Sequence, residues 1–186
     1  PLVTPQLEAQ GLYRRQRDPK QSTAFSFTRF LVPYLMGYEG WALFMDCDML
    51  CRGDIKLLWD QRDDRYGAMC VQHEHVPGET VKFLGEVQSA YPKKNWSSLM
   101  LLNCRRCTKL SVDYVNTASG LELHRFHWLE GDHEIGALDG GWNHLVDVQA
   151  PPTAAAQEGG PRLLHWTLGG PWFREQRTMG GPLAAE

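Results

Sequence analysis

The chain has 186 residues, of which 42% are hydrophobic and 22% are charged, so it can form a soluble globular domain with a sizeable core. Its net charge of −3 excludes a protein whose whole surface attracts nucleic acid. No apolar run approaches the roughly 20 residues that a membrane-spanning helix needs. We therefore predict a single domain over residues 1–186, with no nucleic-acid partner and no transmembrane segment, which leaves peripheral membrane contact open.

The cysteines are an odd number scattered through apolar segments: Cys47, Cys51, Cys70, Cys104 and Cys107. This pattern is typical of a reducing compartment rather than of a disulfide scaffold, so we predict a cytoplasmic protein. The chain begins at Pro1 without an initiator methionine, which indicates a processed chain or a fragment.

The first third of the chain predicts a loop, a helix and a strand. Residues 8–20 are rich in charged and amide side chains and are predicted to form a surface loop. A helix follows that carries Phe25 to Leu35, and Pro33 should kink or end it. Trp41–Met45 is predicted to be a fully buried strand, because it is short, apolar and preceded by glycines.

The rest of the chain alternates strands with helices. Further strands are predicted at Tyr66–Val71, Ser97–Leu102 and Leu163–Trp166, with helices after the N-cap Asp54 and over Thr108–Asn116 and Gly120–Leu129. Residues 150–161 are rich in Pro, Ala and Gly and predict a flexible loop. This alternation predicts an α/β architecture with a largely parallel sheet, in which ligands bind beyond the carboxyl ends of the strands.

Two aspartates directly follow the predicted strand Trp41–Met45. Side chains alternate along an extended segment, so Asp46 and Asp48 share one face while Cys47 points away. Two carboxylates that close repel each other unless a cation neutralises them, and oxygen ligands suit Mg²⁺ or Mn²⁺. The pattern predicts a divalent metal site that holds a phosphorylated ligand, with an ordinary polar turn as the alternative.

His165 has a similar position, at the end of a short apolar strand and before a glycine turn. A neutral imidazole there is a candidate third metal ligand, and a satisfied core or loop histidine is the alternative. Gly169 and Gly170 let the backbone approach a ligand closely and offer N–H groups to phosphate oxygens.

Two other clusters favour different chemistry. His73 and His75 follow a predicted strand and suit a rival zinc site, although no cysteine pair or third histidine stands beside them at zinc-type spacing. Cys104 and Cys107 form a single C-x-x-C pair, and the two arginines between them could lower the thiol pKa values. We favour the interpretation that they are plain cysteines at the start of a helix.

Five segments of the chain, taken in order, resemble glycosyltransferase family 8, a group of sugar-nucleotide transferases with the GT-A fold. They are STAFSFTRFLVPYL (Ser22–Leu35), GWALFMDCDMLCRGDIKLLW (Gly40–Trp59), NWSSLMLLNC (Asn95–Cys104), GWNHL (Gly141–Leu145) and LLHWTLGGPWF (Leu163–Phe173). They span most of the chain between residues 22 and 173. The resemblance implies a GT-A-like domain with a mixed, largely parallel sheet flanked by helices.

The resemblance also implies roles for the matching residues. Asp46 and Asp48 would hold Mn²⁺ against the donor diphosphate, with His165 as the ligand from the C-terminal motif. Arg29 would face the donor, Asn103 would lie near its sugar, and Asn143 would lie on the acceptor side.

Two departures from the family pattern affect the donor site. Gly170 stands where the family has a lysine that binds the pyrophosphate, and Arg174 is the nearby residue that we expect to supply this charge. The family also begins with an apolar strand that holds the nucleotide base, and nothing before Ser22 looks like that strand. The chain is therefore expected to lack the first strand of the fold.

The resulting expectation is a metal-dependent transferase that moves a sugar from a nucleoside-diphosphate donor, a UDP-sugar, to a glycan or other acceptor with retention of configuration. Asp132 and Glu134 are candidates for acceptor binding or base chemistry, with solvated loop acids as the alternative. Two other functions stay open: a sugar-nucleotide-binding module without catalysis, and a metal-dependent hydrolase that uses His73 and His75.

Overall fold

A computed structural model of the chain describes residues 4–16, 25–74, 93–146, 148–150, 160–167 and 169–170. Its strands are β1 (Trp41–Met45), β2 (Met49–Cys51), β3 (Ala68–Cys70), β4 (Leu99–Asn103), β5 (Ile135–Ala137), β6 (His144–Leu145) and β7 (Leu163–His165). Its α-helices are α1 (Thr4–Ala9), α2 (Val32–Leu35), α3 (Ile55–Trp59), α4 (Val112–Thr117) and α5 (Gly120–His124). Short 3₁₀ turns connect several of these elements.

The strands form two mixed sheets. The larger sheet has the order β1-β4-β3-β5, and the smaller has the order β2-β7-β6. Among the described pairings, β1–β4, β3–β4 and β2–β7 are antiparallel, whereas β3–β5 and β6–β7 are parallel. The predicted mixed α/β architecture is confirmed, but the sheets are not largely parallel. An apolar strand buried on both faces has the same composition whichever way its neighbours run, so the sequence could not indicate the direction.

The larger sheet is buried on both faces, and β4 shows this most clearly. Along β4, Met100 and Leu102 pack into one apolar cluster, while Leu99 and Leu101 pack into another. The first cluster contains side chains of α1, α4, α5 and the 3₁₀ turn Thr28–Leu31. The second contains Leu58 of α3 and Leu163 of β7, so the smaller sheet covers this face of the larger one.

Strand β1 has the predicted bounds but is not fully buried. Its last residue, Met45, is 40% exposed, because β1 pairs with β4 on one side and forms the edge of the described sheet on the other. The Asp54 side chain accepts a hydrogen bond from the Lys56 backbone N–H at 2.9 Å and caps α3, as predicted.

The helices are shorter than predicted. In the region of Phe25 to Leu35, a turn and the 3₁₀ segment precede α2, and Pro33 lies in the first turn of α2. Proline is well tolerated there because its missing N–H would have no helical partner, so Pro33 starts the helix rather than ends it. Residues 8 and 9 belong to α1, while residues 10–16 form no helix or strand. Most of the loop predicted over 150–161 lies outside the described residues.

Serine caps define α4 and α5. The side chains of Ser111 and Ser119 accept hydrogen bonds from backbone N–H groups in the first turns, and Ser119 forms a capping box with Glu122. None of the described helices is long and apolar enough to cross a membrane.

His73 lies beyond the end of β3, next to the start of the β4 segment. Its backbone carbonyl accepts a hydrogen bond from Trp96 Nε1 at 3.0 Å. Burial lowers the pKa of His73 to about 4, and the neighbouring His165 and His144 contribute to this decrease. The side chain is therefore neutral at physiological pH.

Alanine substitutions along β4 test the two-sided burial. We expect Leu101→Ala and Leu102→Ala each to lower the free energy of unfolding by about 2–5 kcal/mol, because both leucines are fully buried. Leu57→Ala is the control, because Leu57 is 52% exposed and its loss should cost no more than about 0.5 kcal/mol. Urea unfolding measures all three, and a near-neutral effect at either β4 position would contradict a sheet covered on both faces.

Acid should destabilise the protein through His73. An unfolded histidine binds a proton below about pH 6.5, whereas the folded His73 does so only near pH 4. The unfolded state therefore binds more protons in this window, and the free energy of unfolding should fall as the pH is lowered from about 6.5 to about 4. His73→Gln should reduce this slope in urea unfolding, whereas His127→Gln, a change at an exposed histidine, should not. Equal slopes in all three proteins would refute the assignment.

Candidate functional site

Strand β1 leads directly into the first aspartate of the site. The register of β1 and β4 pairs Met45 with Leu99, and the Asp46 N–H then donates to the Ser98 carbonyl at 2.9 Å. The backbone of Asp46 is thus held by the residue that precedes β4.

A buried arginine holds the side chain of Asp46. Arg29 Nη2 lies 2.9 Å from Asp46 Oδ1, and Arg29 Nη1 donates to the Ser97 carbonyl at 2.8 Å. The guanidinium also lies 4.9 Å from the centre of the Phe44 ring. Arg29 was expected to face the donor, but its described contacts direct the charge to Asp46. Arg29 therefore orients a candidate metal ligand.

The Asp46 carboxylate remains incompletely neutralised despite this ion pair. Burial raises the pKa of Asp46 above its ordinary value and Asp48 adds to the increase, while Arg29 and His165 oppose it. Asp46 Oδ1 is buried and accepts no hydrogen bond from the described residues, because Arg29 Nη2 is close to it but poorly aligned. An unsatisfied buried carboxylate oxygen is the kind of atom that a cation would stabilise.

The smaller sheet brings His165 to the aspartates. Strand β7 pairs with β2 so that His165 lies opposite Met49, and the Trp166 N–H donates to the Asp48 carbonyl at 3.1 Å. His165 Nε2 lies 3.3 Å from Asp48 Oδ1, and the His165 side chain is buried. Two strands that are distant in sequence therefore place the imidazole beside the carboxylate.

Asp46, Asp48 and His165 form one compact group, which we call the DDH cluster. One ligand atom from each residue lies within 4.8 Å of the others, and the described residues contain no other His, Cys, Asp or Glu group with this spacing. Two carboxylate oxygens and an imidazole nitrogen suit Mn²⁺ or Mg²⁺. Together with the unsatisfied Asp46 Oδ1, this donor set fits a divalent cation.

Cys47, between the two aspartates, is not equipped to act as a thiolate. Cys47 is an exposed residue. Partial burial of its sulfur and the negative charges of Asp48 and Asp46 nevertheless raise the pKa of the thiol. The thiol therefore stays protonated near neutral pH, and a protonated thiol is a poor metal ligand and a poor nucleophile.

Asn143 lies beneath the DDH cluster rather than on its open side. It is fully buried, its Oδ1 lies 2.9 Å from His165 Nδ1, and its Nδ2 donates to Ser98 Oγ at 2.9 Å. The polar atoms of Asn143 are therefore used within the protein, and its position on the acceptor side stays a prediction.

Asn103 lies at the opposite end of the sheet from Asp46. The antiparallel register pairs Asn103 with Trp41, the first residue of β1. Asp46 lies beyond the last residue of β1, a span of roughly 16 Å at about 3.3 Å per residue. Asn103 is buried and donates to the Tyr66 carbonyl at 3.3 Å. The described contacts of Asn103 therefore lie away from Asp46, and its place near the donor sugar, which the family resemblance implies, stays a prediction.

Glu134 also lies at this far end. The Gly67 N–H donates to the Glu134 carbonyl at 2.9 Å, and the Asn103 N–H donates to the Gly67 carbonyl at 3.0 Å. Burial opposes ionisation of Glu134, but hydrogen bonds from the Glu130 N–H and from Arg106 outweigh it and lower the pKa of Glu134. Glu134 therefore forms a structural ion pair, and its predicted role as a base is not supported.

Asp132 is exposed and forms an ion pair with Lys93. It is not a member of the DDH cluster, so the geometry favours the alternative of a solvated loop acid.

The C-terminal motif is only partly described. Gly169 has φ = +125°, a conformation that side-chain-bearing residues rarely adopt, and Gly170 is buried. Arg174 lies outside the described residues, as do Ser22 and His75. The predicted roles of the two glycines and of Arg174 at the phosphates remain predictions.

The rival clusters do not assemble in the described residues. His73 is not part of a group of three ligand-type residues, and its predicted partner His75 is outside the described ranges. Cys104 and Cys107 are buried, and burial raises the pKa of both thiols. The burial of both thiols therefore favours plain cysteines, as predicted, over thiols activated by the neighbouring arginines.

Sequence reasoning missed Ser98, which contacts both halves of the site through its carbonyl and its hydroxyl. The signal was its position directly before β4. In an antiparallel pair, the residues that precede one strand lie beside those that follow the other.

Comparison with solved structures identifies the fold. The galactosyltransferase LgtC, solved with donor and acceptor sugar analogues, superposes with a TM-score of 0.54 at 10% identity over 98% of this chain and 71% of LgtC. The glycosyltransferase GlyE of Streptococcus pneumoniae TIGR4 superposes with a TM-score of 0.51 at 14% identity over 80% of this chain. The chain spans only 39% of GlyE. The mixed α/β fold is thus the GT-A-like fold of these glycosyltransferases.

Comparison with known sequences identifies the relatives. No family model matches the chain. Protein CDI of Arabidopsis thaliana is 49% identical over 179 residues, which cover 93% of this chain and 67% of that protein. Identity at this level over nearly the whole chain shows common descent, and the chain belongs to the same protein family as Protein CDI.

Proposed function

We propose that the protein is a divalent-metal-dependent glycosyltransferase that moves a sugar from a nucleoside-diphosphate donor to an acceptor. The observation that carries the proposal is the DDH cluster, in which ligand atoms of Asp46, Asp48 and His165 lie within 4.8 Å of one another. It is supported by a fold shared with LgtC and GlyE. The resemblance to family 8 extends the proposal to a UDP-sugar donor and to retention of configuration.

The donor set favours Mn²⁺ or Mg²⁺, held by Asp46, Asp48 and His165. When bound, such an ion supplies Lewis-acid stabilisation of the negative charge that develops on the leaving diphosphate. Arg29 holds the Asp46 carboxylate in a fixed orientation from inside the protein, so little reorganisation is needed when the donor binds.

The phosphates need further partners from the chain, because one divalent ion does not neutralise a diphosphate completely. Backbone N–H groups around Gly169 and Gly170 are suited to phosphate oxygens, since glycine lets the backbone approach closely. Arg174 would replace the lysine that Gly170 lacks, because a guanidinium binds two phosphate oxygens at once. These donors would stabilise the departing nucleoside diphosphate.

A sugar-nucleotide-binding module is the second candidate. The observation that favours it is the glycine at position 170, which removes a cation from the segment expected to bind the pyrophosphate. Such a module would bind a metal and a nucleotide at the DDH cluster but would not transfer sugar.

We also propose a cytoplasmic location for the protein, on the basis of its odd number of scattered cysteines.

Asp48→Asn tests the metal site. The amide keeps the size of the side chain but removes the charge, so Mn²⁺-dependent binding of UDP-glucose should be lost. The fold should remain intact, because the Asp48 side chain is 35% exposed and lies outside the apolar clusters. Titration calorimetry with and without Mn²⁺ measures the binding.

Asp113→Asn is the matched control, because Asp113 is an exposed aspartate of α4 that forms an ion pair with Arg14. It should bind like the wild type. If Asp48→Asn retained full Mn²⁺-dependent affinity, the proposed metal site would be incorrect. If the wild type bound UDP-glucose with the same affinity in the presence and in the absence of Mn²⁺, the proposed metal dependence would be incorrect.

Arg174→Ala tests the phosphate contact. Loss of a hydrogen bond to a charged group costs about 1.5–3 kcal/mol, which corresponds to roughly a 10- to 150-fold decrease in donor affinity. Arg177→Ala is the control, because it removes the same charge three residues further along the chain. Donor affinity and turnover should both fall for Arg174→Ala and stay near wild type for Arg177→Ala. Wild-type behaviour of both variants would favour the binding module over the enzyme.

A further inference from the structure

A chain of hydrogen bonds runs from the DDH cluster into the protein. His165 Nδ1 lies 2.9 Å from Asn143 Oδ1, and Asn143 Nδ2 donates to Ser98 Oγ at 2.9 Å. Ser98 Oγ in turn donates to the Asn95 carbonyl at 2.6 Å. His165, Asn143 and Ser98 are all buried.

The Asn95 carbonyl, at the end of this series of hydrogen bonds, determines the direction of every bond in the series. A backbone carbonyl can only accept, so the single hydroxyl proton of Ser98 is used on Asn95. Ser98 Oγ must then accept from the Asn143 NH₂ group, which turns Asn143 Oδ1 towards His165. Because Oδ1 can only accept, His165 Nδ1 must carry a proton. A flipped Asn143 would place two acceptors, Oδ1 and Ser98 Oγ, in contact.

Ser98 also connects this chain to the other side of the cluster. Its backbone carbonyl accepts from the Asp46 N–H at 2.9 Å. One residue before β4 therefore supports both segments that carry candidate ligands, β7 through its side chain and the end of β1 through its backbone.

We propose that Ser98 and Asn143 are positioning residues that hold His165 in the Nδ1–H tautomer and so reserve Nε2 for the metal. This inference rests on the proposed metal site for its purpose, but the tautomer itself is a property of the metal-free protein. Nε2 lies 3.3 Å from Asp48 Oδ1, so a proton on Nδ1 leaves the Nε2 lone pair beside a carboxylate oxygen, where a divalent cation could bind both atoms. We call the hydrogen-bonded series His165–Asn143–Ser98–Asn95 the relay. The relay thus directs the lone pair of His165 Nε2 to a place where the Asp48 carboxylate already attracts a positive charge.

Nitrogen NMR of the full chain tests the tautomer directly. Two-bond ¹H–¹⁵N spectra of ¹⁵N-labelled protein at about pH 8.5, where an ordinary imidazole is neutral, distinguish a protonated Nδ1 from a protonated Nε2. His165→Gln identifies the His165 signals among the seven histidines. We expect His165 to carry its proton on Nδ1. A neutral ring protonated on Nε2 in the wild type would overturn the inference without any variant.

Ser98→Ala tests the relay, with Ser97→Ala as the matched control. Both serines are buried, but the Ser97 hydroxyl lies 2.7 Å from His124 Nδ1 rather than in the relay. Without the Ser98 hydroxyl, Asn143 is free to flip, so His165 should become a mixture of tautomers. Ser97→Ala should leave the His165 signals unchanged. Identical His165 tautomers in Ser98→Ala and the wild type would overturn the inference.

Titration with Mg²⁺ alone separates this inference from the proposed function. If both hold, Ser98→Ala should weaken Mg²⁺ binding by about 10- to 100-fold, the usual effect of removing a partner behind a metal ligand. If the wild type binds neither Mg²⁺ nor Mn²⁺ while the tautomer still responds to Ser98→Ala, the proposed metal site is wrong and the relay stands. If the wild type binds Mg²⁺ and Ser98→Ala binds it equally well, the relay does not position the ligand.

Discussion

The antiparallel pairing of β1 with β4 fixes the positions of the segments at both ends of the two strands. It places the segment before β4 beside the segment after β1, and the bond from the Asp46 N–H to the Ser98 carbonyl continues the ladder beyond the last strand residue. Because β4 is buried on both faces, a one-residue slip would exchange its two sets of apolar side chains and would also move Ser98 away from Asp46. The packing of the core therefore also determines the geometry of the candidate site.

In the interior of the site, the polar side chains are paired with one another, whereas the ionised form of the Asp46 carboxylate is not fully stabilised. Arg29 is buried and interacts with Asp46 and the Ser97 carbonyl, and Asn143 and Ser98 complete each other's hydrogen bonds. Yet burial raises the pKa of Asp46 in spite of the arginine, so desolvation outweighs the ion pair. Proteins that depart from full polar satisfaction tend to do so at functional sites. Asp46, whose carboxylate Arg29 neutralises only in part, belongs to the one described group with the spacing of a metal site.

Similarity to known proteins shows the fold and the family, whereas the proposed reaction is inferred from the site. Similarity to LgtC and GlyE, at 10% and 14% identity, shows the fold, and a fold alone does not define a reaction. Protein CDI shows the family at 49% identity. The proposed sugar transfer therefore depends on the DDH cluster and on the segment around Gly169 and Gly170. The glycine at position 170, in place of the lysine that the family resemblance implies, is the observation that favours a binding module.

Short-range sequence patterns were enough to predict the local elements and the chemical character of the site. The bounds of β1, the cap at Asp54 and the ligand-type residues after two apolar strands could be recognised because they depend on neighbouring residues. Which strand ends meet could be seen only from the pairing of the strands in three dimensions. Ser98 precedes β4 and Asn103 ends it, and the direction of β4 decides which of them lies beside Asp46. That direction depends on long-range pairing and packing, which leave no period in the sequence of an all-apolar strand.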